Sequence, residues 1–286
     1  MTKHAALLGL VLLGARPAFG EAANTVLTNG KIFTSRASKP WVQALAIRGE
    51  RIVGAGTTEE IRHLAGPGAR TIDLGGRTVI PGFNDAHRHL DINPPGMVEV
   101  KTEAVDPSWT ELSAALSAAA ARAPKDALLS AEIGYAVFSD PRVDRRALDT
   151  ISLAQPILLW TLTGHAAILN SPALAKLRIE EKQPDPVAGR FERTPDGRLS
   201  GVVREYAALG LSRRLADLAS DDETVQQLRD AFSEAVRWGV TTIQDMSEAI
   251  EPGRCARLLA RVSPPLRVRI IPMPGTTPGG RDRDEG

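Results

Sequence analysis

Two histidines spaced two positions apart are the residues of this chain best suited to chemistry. His87 and His89 follow a short apolar stretch, Thr78 to Ile80, that favours a β-strand. In a strand, residues two apart point to the same face, so both imidazoles would face one point while Arg88 turns away. Two neutral imidazoles are half of a typical zinc site. The alternative is a pair of surface histidines on a loop, and the spacing alone does not decide between these two interpretations.

The composition restricts the ligands that such a site can use. The 286 residues include five histidines and one cysteine, Cys255, so neither an intrachain disulfide nor a cysteine-based zinc site can form. Any metal site must therefore combine histidines with carboxylates. Lys plus Arg is 35 and Asp plus Glu is 34, a net charge of +1 that argues against a nucleic-acid-binding protein. With 43% hydrophobic and 24% charged residues, the chain is typical of globular proteins.

Residues 21–80 are predicted to form a small β-sheet region. Short apolar runs flank three turn signals, which are Asn29-Gly30, Arg48-Gly49-Glu50 and Gly75-Gly76. Each of these patterns predicts a β-hairpin. Two or three hairpins seldom bury enough apolar surface to be stable alone, so another part of the protein must cover this sheet.

Helices and strands alternate over residues 81–273. Capping boxes at Ser108–Glu111 and Ser220–Glu223 each precede apolar residues at helical spacing, and Gly239 lies where the second helix should end. Further helices are predicted over residues 142–152 and 254–262, and strands are predicted to start at residues 78, 127, 156, 240 and 266. This order predicts a parallel sheet covered by helices. The segment between Arg178 and Leu199 is predicted to be a loop or a hairpin over one end of the sheet.

Both ends of the chain have patterns of their own. Lys3, the apolar run over residues 5–14 and Ala18-Phe19-Gly20 together predict a secretory signal over residues 1–20, the alternative being a buried N-terminal helix. The run is too short to span a bilayer, so we expect an exported protein without a membrane segment after cleavage. Residues 274–286 contain no core-forming side chain and are predicted to be disordered.

Four blocks of sequence resemble one known family. Residues 73–89, which end in the two histidines, resemble the first-strand signature of the amidohydrolase superfamily, and the N-terminal strands resemble its small composite β-sandwich. The later blocks are similar to amidohydrolase family 3 (YtcJ-like) in the same order, at residues 163–174, 196–205 and 239–245. The resemblance implies an α/β protein with a (β/α)8 TIM-like barrel preceded by part of the sandwich.

The family's chemistry is also an expectation from this resemblance. A divalent metal, usually zinc, activates a water molecule that attacks the carbon of a small amide-like or formamide-like substrate. His87 and His89 match the first two metal ligands. Glu205 is the candidate acidic ligand, and its alternative interpretation is a carboxylate favoured at a helix start. His165 matches a histidine that faces the substrate, and its alternative is a core histidine bonded to backbone.

Three further polar residues of these blocks are predicted to be structural. Asp85 and Asp245 are expected to be carboxylates at strand ends, and Asn170 is expected to cap the helix that starts near Ser171.

The chain departs from the family pattern after His165. The family carries two further histidine ligands and a catalytic aspartate, and no histidine follows His165 here. Only five barrel strands are predicted where a closed barrel has eight. We therefore expect an incomplete barrel over residues 81–273 in a chain that is cut short. Two functions follow, a metal-dependent amidohydrolase or a non-catalytic remnant that binds at most a metal or a partner chain.

Overall fold

The computed structural model describes residues 22–272, which form two compact units that meet in sequence between Gly82 and Phe83. The predicted signal sequence and the predicted disordered tail lie outside the described residues. Within residues 22–272, no helix combines the length and apolar character needed to cross a membrane.

The first unit is built from two small sheets. One has the strand order β5-β4-β1-β6 and the other β3-β2-β7. The elements are β1 (Ala23–Thr28), β2 (Lys31–Phe33), β3 (Trp41–Val42), β4 (Ala44–Arg48), β5 (Arg51–Gly56), α1 (Thr58–Arg62), β6 (Ala65–Asp73) and β7 (Thr78–Val79). One apolar cluster lies around Val26 and Ala46 of the first sheet, and in a second cluster Ile32 of the second sheet packs with Leu45 of the first.

Only one of the three predicted hairpins in this unit exists. β4 and β5 pair antiparallel around Gly49 as expected. The predictions of hairpins at Asn29-Gly30 and Gly75-Gly76 are wrong, because the chain passes from one sheet to the other at both places. β1 pairs in parallel with β6, and β2 in parallel with β7, so the two connections run side by side. Asn29 and both glycines adopt positive φ, which a sheet-to-sheet crossing uses as readily as a hairpin turn does.

The expected first barrel strand also needs correction. Thr78 and Val79 belong to the first unit, where Val79 pairs with Ile32 and packs against the apolar cluster that contains Ile32. The strand that carries the histidine motif is the next one, β8 (Phe83–Arg88), whose side chains are mostly exposed. An apolar run before the motif therefore marked a strand of the first unit.

The second unit contains two further sheets and most of the helices. The six-stranded sheet has the order β13-β14-β12-β11-β10-β9, and the three-stranded sheet has the order β16-β15-β8. The elements after β8 are β9 (Val98–Glu99), α2 (Trp109–Arg122), β10 (Leu129–Ile133), α3 (Tyr135–Phe138), α4 (Arg145–Ile151), β11 (Ile157–Thr161), β12 (Ala166–Leu169), α5 (Ser171–Lys176), β13 (Gly189–Arg193), β14 (Leu199–Glu205), α6 (Tyr206–Ala216), α7 (Asp221–Arg237), β15 (Val240–Asp245), α8 (Pro252–Val262) and β16 (Arg267–Ile270).

The mixed α/β class is confirmed, whereas a closed barrel is not formed by the described strands. β9, β10 and β11 run parallel, as do β8, β15 and β16. β12, β13 and β14 are antiparallel to their neighbours, which interrupts the parallel pattern. The segment between Arg178 and Leu199 contributes β13, which forms a hairpin with β14.

Local signals placed several helices of this unit accurately, whereas α3 and α6 were not predicted. Both predicted capping boxes are present, at Ser108 and Ser220, and Gly239 follows α7 with a φ of 80°. Asn170 caps α5 by accepting a hydrogen bond from the Ala173 backbone N–H at 2.9 Å. These motifs act within a few residues, so tertiary packing has little opportunity to override them.

The core beside β15 determines where the histidine motif lies. Phe232 of α7, Ile243 of β15 and Leu258 of α8 are almost completely buried in one cluster. The same cluster contains Leu90, directly after the motif, and Ile250, in the segment after β15. The carboxyl ends of β8 and β15 are thereby held next to each other.

Candidate functional site

The two histidines of the motif face each other at the carboxyl end of β8. Pairing with β15 places Arg88 opposite Asp245, and the Met246 backbone N–H donates to the Arg88 carbonyl at 2.8 Å. His87 Nε2 and His89 Nε2 lie 3.1 Å apart. One of these nitrogens must donate and the other accept when no metal is held between them.

This separation fits two ligands of a single metal ion. Zinc-bound imidazole nitrogens lie about 2.0–2.1 Å from the ion, so two of them at a tetrahedral angle are roughly 3.4 Å apart. The distance of 3.1 Å between the two Nε2 atoms is close to that value. His87 and His89 could therefore hold a divalent metal, and they supply two of the three or four protein ligands that such sites normally use.

Glu205 and His165 form a second pair. The Glu205 carboxylate lies at the end of β14, and its Oε2 is 2.9 Å from His165 Nδ1. The Glu205 backbone N–H also donates to the His165 carbonyl at 2.7 Å. Both side chains are about 60% exposed, at 59% for Glu205 and 61% for His165, so the alternative of a buried core histidine is wrong.

The backbone of Glu205 is unusual. Its φ of 52° and ψ of −128° belong to a region that side chains other than glycine rarely adopt. Glu205 occupies the N-cap position of α6, but its side chain makes no capping hydrogen bond. Glu205 therefore does lie at a helix start, as its alternative interpretation expected, and its carboxylate pairs with His165 instead of capping the helix.

The structure does not bring Glu205 to the histidine motif as a third ligand. Across residues 22–272, no three His, Cys, Asp or Glu side chains converge closely enough to hold a metal ion. The four predicted site residues therefore occur as two separate pairs, His87 with His89 and His165 with Glu205.

A buried carboxylate that the sequence analysis did not single out lies beside the first pair. Glu248 Oε2 is 3.2 Å from His89 Nδ1, and its side chain is only 8% exposed. Burial, followed by the charge of Asp91, raises the pKa of Glu248 to about 7, while the Ser212 hydroxyl and the nearby His165 and His87 act in the opposite direction. A possible signal was its position, since Glu248 comes three residues after β15, whose carboxyl end meets that of β8.

Two more acids lie near the same point, the buried Asp245 and the solvent-exposed Asp91. Burial raises the pKa of Asp245 to about 6, although its carboxylate accepts the Leu90 backbone N–H at 3.2 Å. Desolvation by the surrounding protein likewise raises the pKa of Asp91. Asp245 ties the end of β15 to the chain after His89, and Asp85 accepts the His87 backbone N–H at 3.3 Å. Asp245 and Asp85 thus both make structural contacts to backbone N–H groups, Asp85 locally and Asp245 across 155 positions of sequence.

Cys255 lies behind Asp245 and is not a reactive group. Its sulfur is 3.9 Å from Asp245 Oδ2, and burial raises the pKa of the thiol to about 12. The thiol is therefore protonated near neutral pH, and thiolates rather than thiols are nucleophiles and metal ligands.

Comparisons with known proteins agree on one family. Residues 70–279 match the model of the amidohydrolase family. Protein LONG AFTER FAR-RED 3 of Arabidopsis thaliana is 30% identical over 80% of this chain and 39% of its own length. The N-substituted formamide deformylase of Arthrobacter pascens is 29% identical over 79% of this chain and 43% of its own length. The chain thus spans about two fifths of the length of these relatives.

A solved structure supports the fold. A metal-dependent hydrolase from Pyrococcus furiosus superimposes with a TM-score of 0.54 and 23% identity, over 87% of this chain and 50% of the other. A likeness at this level of identity concerns the fold rather than the substrate.

Proposed function

Because this chain belongs to the amidohydrolase family, we propose that it contributes to metal-dependent hydrolysis of a carbon–nitrogen bond other than a peptide bond. The observation that carries the proposal is the pair of facing imidazoles, His87 and His89, with Nε2 atoms 3.1 Å apart at the carboxyl end of β8. Strand ends of this kind are where barrel enzymes place their catalytic groups. Small amides and formamides are the proposed substrates, which agrees with the formamide deformylase among the relatives.

The residues would divide the work as follows. His87 and His89 would hold the metal, and zinc is the ion that best matches a site of imidazoles and carboxylates. A divalent metal supplies the Lewis acidity that lowers the pKa of a water molecule and polarises a substrate carbonyl. Glu205, which pairs with His165 instead of the two metal-binding histidines, is proposed to orient His165, and His165 is proposed as a substrate contact. The exposed ring of His165, oriented by Glu205, can donate to or accept from a polar group of a small molecule.

The test combines a binding measurement with a kinetic one. The purified chain is titrated with Zn²⁺, and release of amine from N-substituted formamides and N-acyl compounds is then followed with and without the metal. We expect zinc binding and zinc-dependent turnover, both lost when His87 and His89 are changed to alanine. Turnover that is independent of metal or of the two histidines would refute the proposal.

A second function is favoured by the absence of a third ligand near the histidine pair in the described part of the chain. In this alternative the chain is a non-catalytic member of the family that binds a metal or a partner chain. Zinc binding without turnover on any of these substrates would support it.

We also propose that the protein is exported, on the pattern of Lys3, the apolar run of residues 5–14 and Ala18-Phe19-Gly20. N-terminal sequencing of the protein from the extracytoplasmic fraction should find a start near Glu21. An intact Met1 on cytoplasmic protein would contradict export.

A further inference from the structure

We propose that Glu248 is a positioning residue for His89. Its carboxylate accepts the Nδ1 proton of His89, which leaves the lone pair of Nε2 directed at the metal position. The inference rests on the proposed function in one respect, namely that His87 and His89 hold a metal.

The first argument is the geometry of the two buried atoms. Glu248 Oε2 and His89 Nδ1 are 3.2 Å apart, with side-chain exposures of 8% and 32%. Both atoms are buried, and neither has a hydrogen-bond partner among residues 22–272, the other atom included. Leaving a buried donor or acceptor unpaired is costly, so a small rotation that joins these two atoms is favourable.

The second argument is the position of protons. A neutral imidazole carries one N–H, and the hydrogen bond of one nitrogen decides which nitrogen keeps the lone pair. With its proton on Nδ1, His89 can accept the Nε2–H of His87 across 3.1 Å when no metal is held. Carboxylates that receive the second ring N–H of metal-binding histidines orient the ring and increase its basicity.

Asp245 and Asp91, the two other acids nearby, do not fit the role of orienting His89. Asp245 uses Oδ1 to accept the Leu90 backbone N–H at 3.2 Å, and its Oδ2 faces the Cys255 thiol at 3.9 Å. Asp91 acts on His89 through its charge, and no hydrogen bond or ion pair joins these two residues in the described structure. Glu248 is the carboxylate within ion-pair distance of Nδ1.

The fold holds Glu248 in place from two sides. The Ser212 hydroxyl of α6 donates to Glu248 Oε1 at 3.3 Å. In the segment that carries Glu248, the Ser247 hydroxyl donates to the Ile250 carbonyl at 2.8 Å, and Ala249 and Ile250 are buried in the core beside β15. A carboxylate anchored in this way has a fixed position relative to His89, as a positioning role requires.

The test uses the whole chain and three variants. Glu248→Ala removes the carboxylate, and Glu248→Gln keeps an oxygen that can accept the Nδ1 proton. Glu59→Gln is the matched control, at an exposed glutamate of α1. Zn²⁺ affinity is measured by competition with a chromophoric chelator. The tautomer of His89 in metal-free protein is read from imidazole nitrogen NMR shifts, assigned with the His89→Ala spectrum.

We expect the parent to carry the His89 proton on Nδ1. Glu248→Ala should mix the two tautomers and weaken zinc binding about 10- to 100-fold. Glu248→Gln should retain the tautomer and lose less affinity, and Glu59→Gln should match the parent in both readouts. A merely structural role of Glu248 would leave the tautomer unchanged.

Two results would overturn the inference, a parent with the His89 proton on Nε2, or folded Glu248→Ala protein that matches the parent in tautomer and zinc affinity. If Glu248→Ala does not fold, the parent and Glu248→Gln spectra decide, because both must show the proton on Nδ1. A parent with the Nδ1 proton but no zinc affinity would refute the proposed function while supporting the contact between Glu248 and His89.

Discussion

Two histidine–carboxylate pairs in this molecule share a chemistry but differ in environment. His89 Nδ1 and Glu248 lie 3.2 Å apart with the carboxylate almost fully buried, whereas His165 Nδ1 and Glu205 lie 2.9 Å apart with both side chains mostly exposed. The buried pair is attached to a packed core on both sides. The exposed pair depends on an unusual backbone conformation at Glu205. Because the carboxylate of the first pair is buried, its charge interacts strongly with neighbouring groups, whereas water screens the charges of the second pair.

The comparison predicts that metal binding depends on His89, which lies beside the buried Glu248, and on its neighbour His87. Replacing both His87 and His89 with alanine should abolish Zn²⁺ binding, because the facing Nε2 atoms are the proposed nitrogen ligands. His63→Ala, at an exposed histidine of the first unit, is the control and should bind zinc as the parent does. Isothermal titration calorimetry measures both. Equal zinc affinity of the double variant and the parent would remove the basis for the proposed site.

The pH dependence of stability should also come from the buried acids. Burial raises the pKa of Glu248 from 4.5 to about 7 and that of Asp245 from 3.8 to about 6. The folded state therefore disfavours both ionised forms. The free energy of unfolding is therefore highest below about pH 4, where both carboxyl groups are protonated, and it falls as the pH rises towards 7.

Urea unfolding of metal-free protein between pH 4.5 and 8 tests this dependence. In Glu248→Gln, the free energy of unfolding should no longer decline as the pH approaches 7. Above pH 7 we expect this variant to exceed the parent, relative to their difference at pH 4.5, by about 2 kcal/mol after allowance for screening. Asp245→Asn should flatten the decline below pH 6. If the free energy of unfolding of Glu248→Gln varied with pH in parallel with that of the parent, burial would not raise the pKa of Glu248.

The backbone at Glu205 offers a test of the exposed pair. Glu205→Ala and Glu205→Gly both remove the carboxylate, but only glycine adopts a φ of 52° with a ψ of −128° without strain. We expect the glycine variant to be more stable than the alanine variant by about 1–2 kcal/mol. Equal stability of the two variants would show that the backbone stores no strain there.

The smallest effect is expected for the exposed ion pair itself. His165→Ala should lower the free energy of unfolding by less than about 1 kcal/mol, because solvent screens exposed pairs. Hydrolysis of a formamide should suffer much more, since His165 is proposed to contact the substrate. Comparing thermal melting with kcat/KM separates the two effects. A large loss of stability with unchanged kcat/KM would make His165 a structural residue.

Sequence reasoning succeeded where the signal acts over a few residues. The capping boxes at Ser108 and Ser220, the cap at Asn170 and the strand at Val240–Asp245 occur where their local patterns predict them. The family was also predicted correctly from four ordered blocks, because residues that hold a fold and its site recur at characteristic positions.

The pairing of strands was less predictable, because it depends on contacts between distant segments. Asn29-Gly30 and Gly75-Gly76 favour positive φ, and this property serves a crossing between sheets as well as a hairpin. The apolar residues Thr78 and Val79 are typical of a buried strand, but only their partners in β2 show that the strand belongs to the first unit. Periodicity does not identify which sheet buries a strand.

The sequence by itself determined the family, the mixed α/β class, several helix boundaries and the spacing that lets His87 and His89 face one point. Only the tertiary structure decided which groups surround them. The packing of β8 against β15 places Glu248 beside His89, although the two residues are 159 positions apart in sequence. The carboxylate of Glu205, at the end of β14, lies beside His165 and not beside His89. A carboxylate acquires its partner and its pKa from burial and neighbours, and both are set by chain segments far apart in sequence.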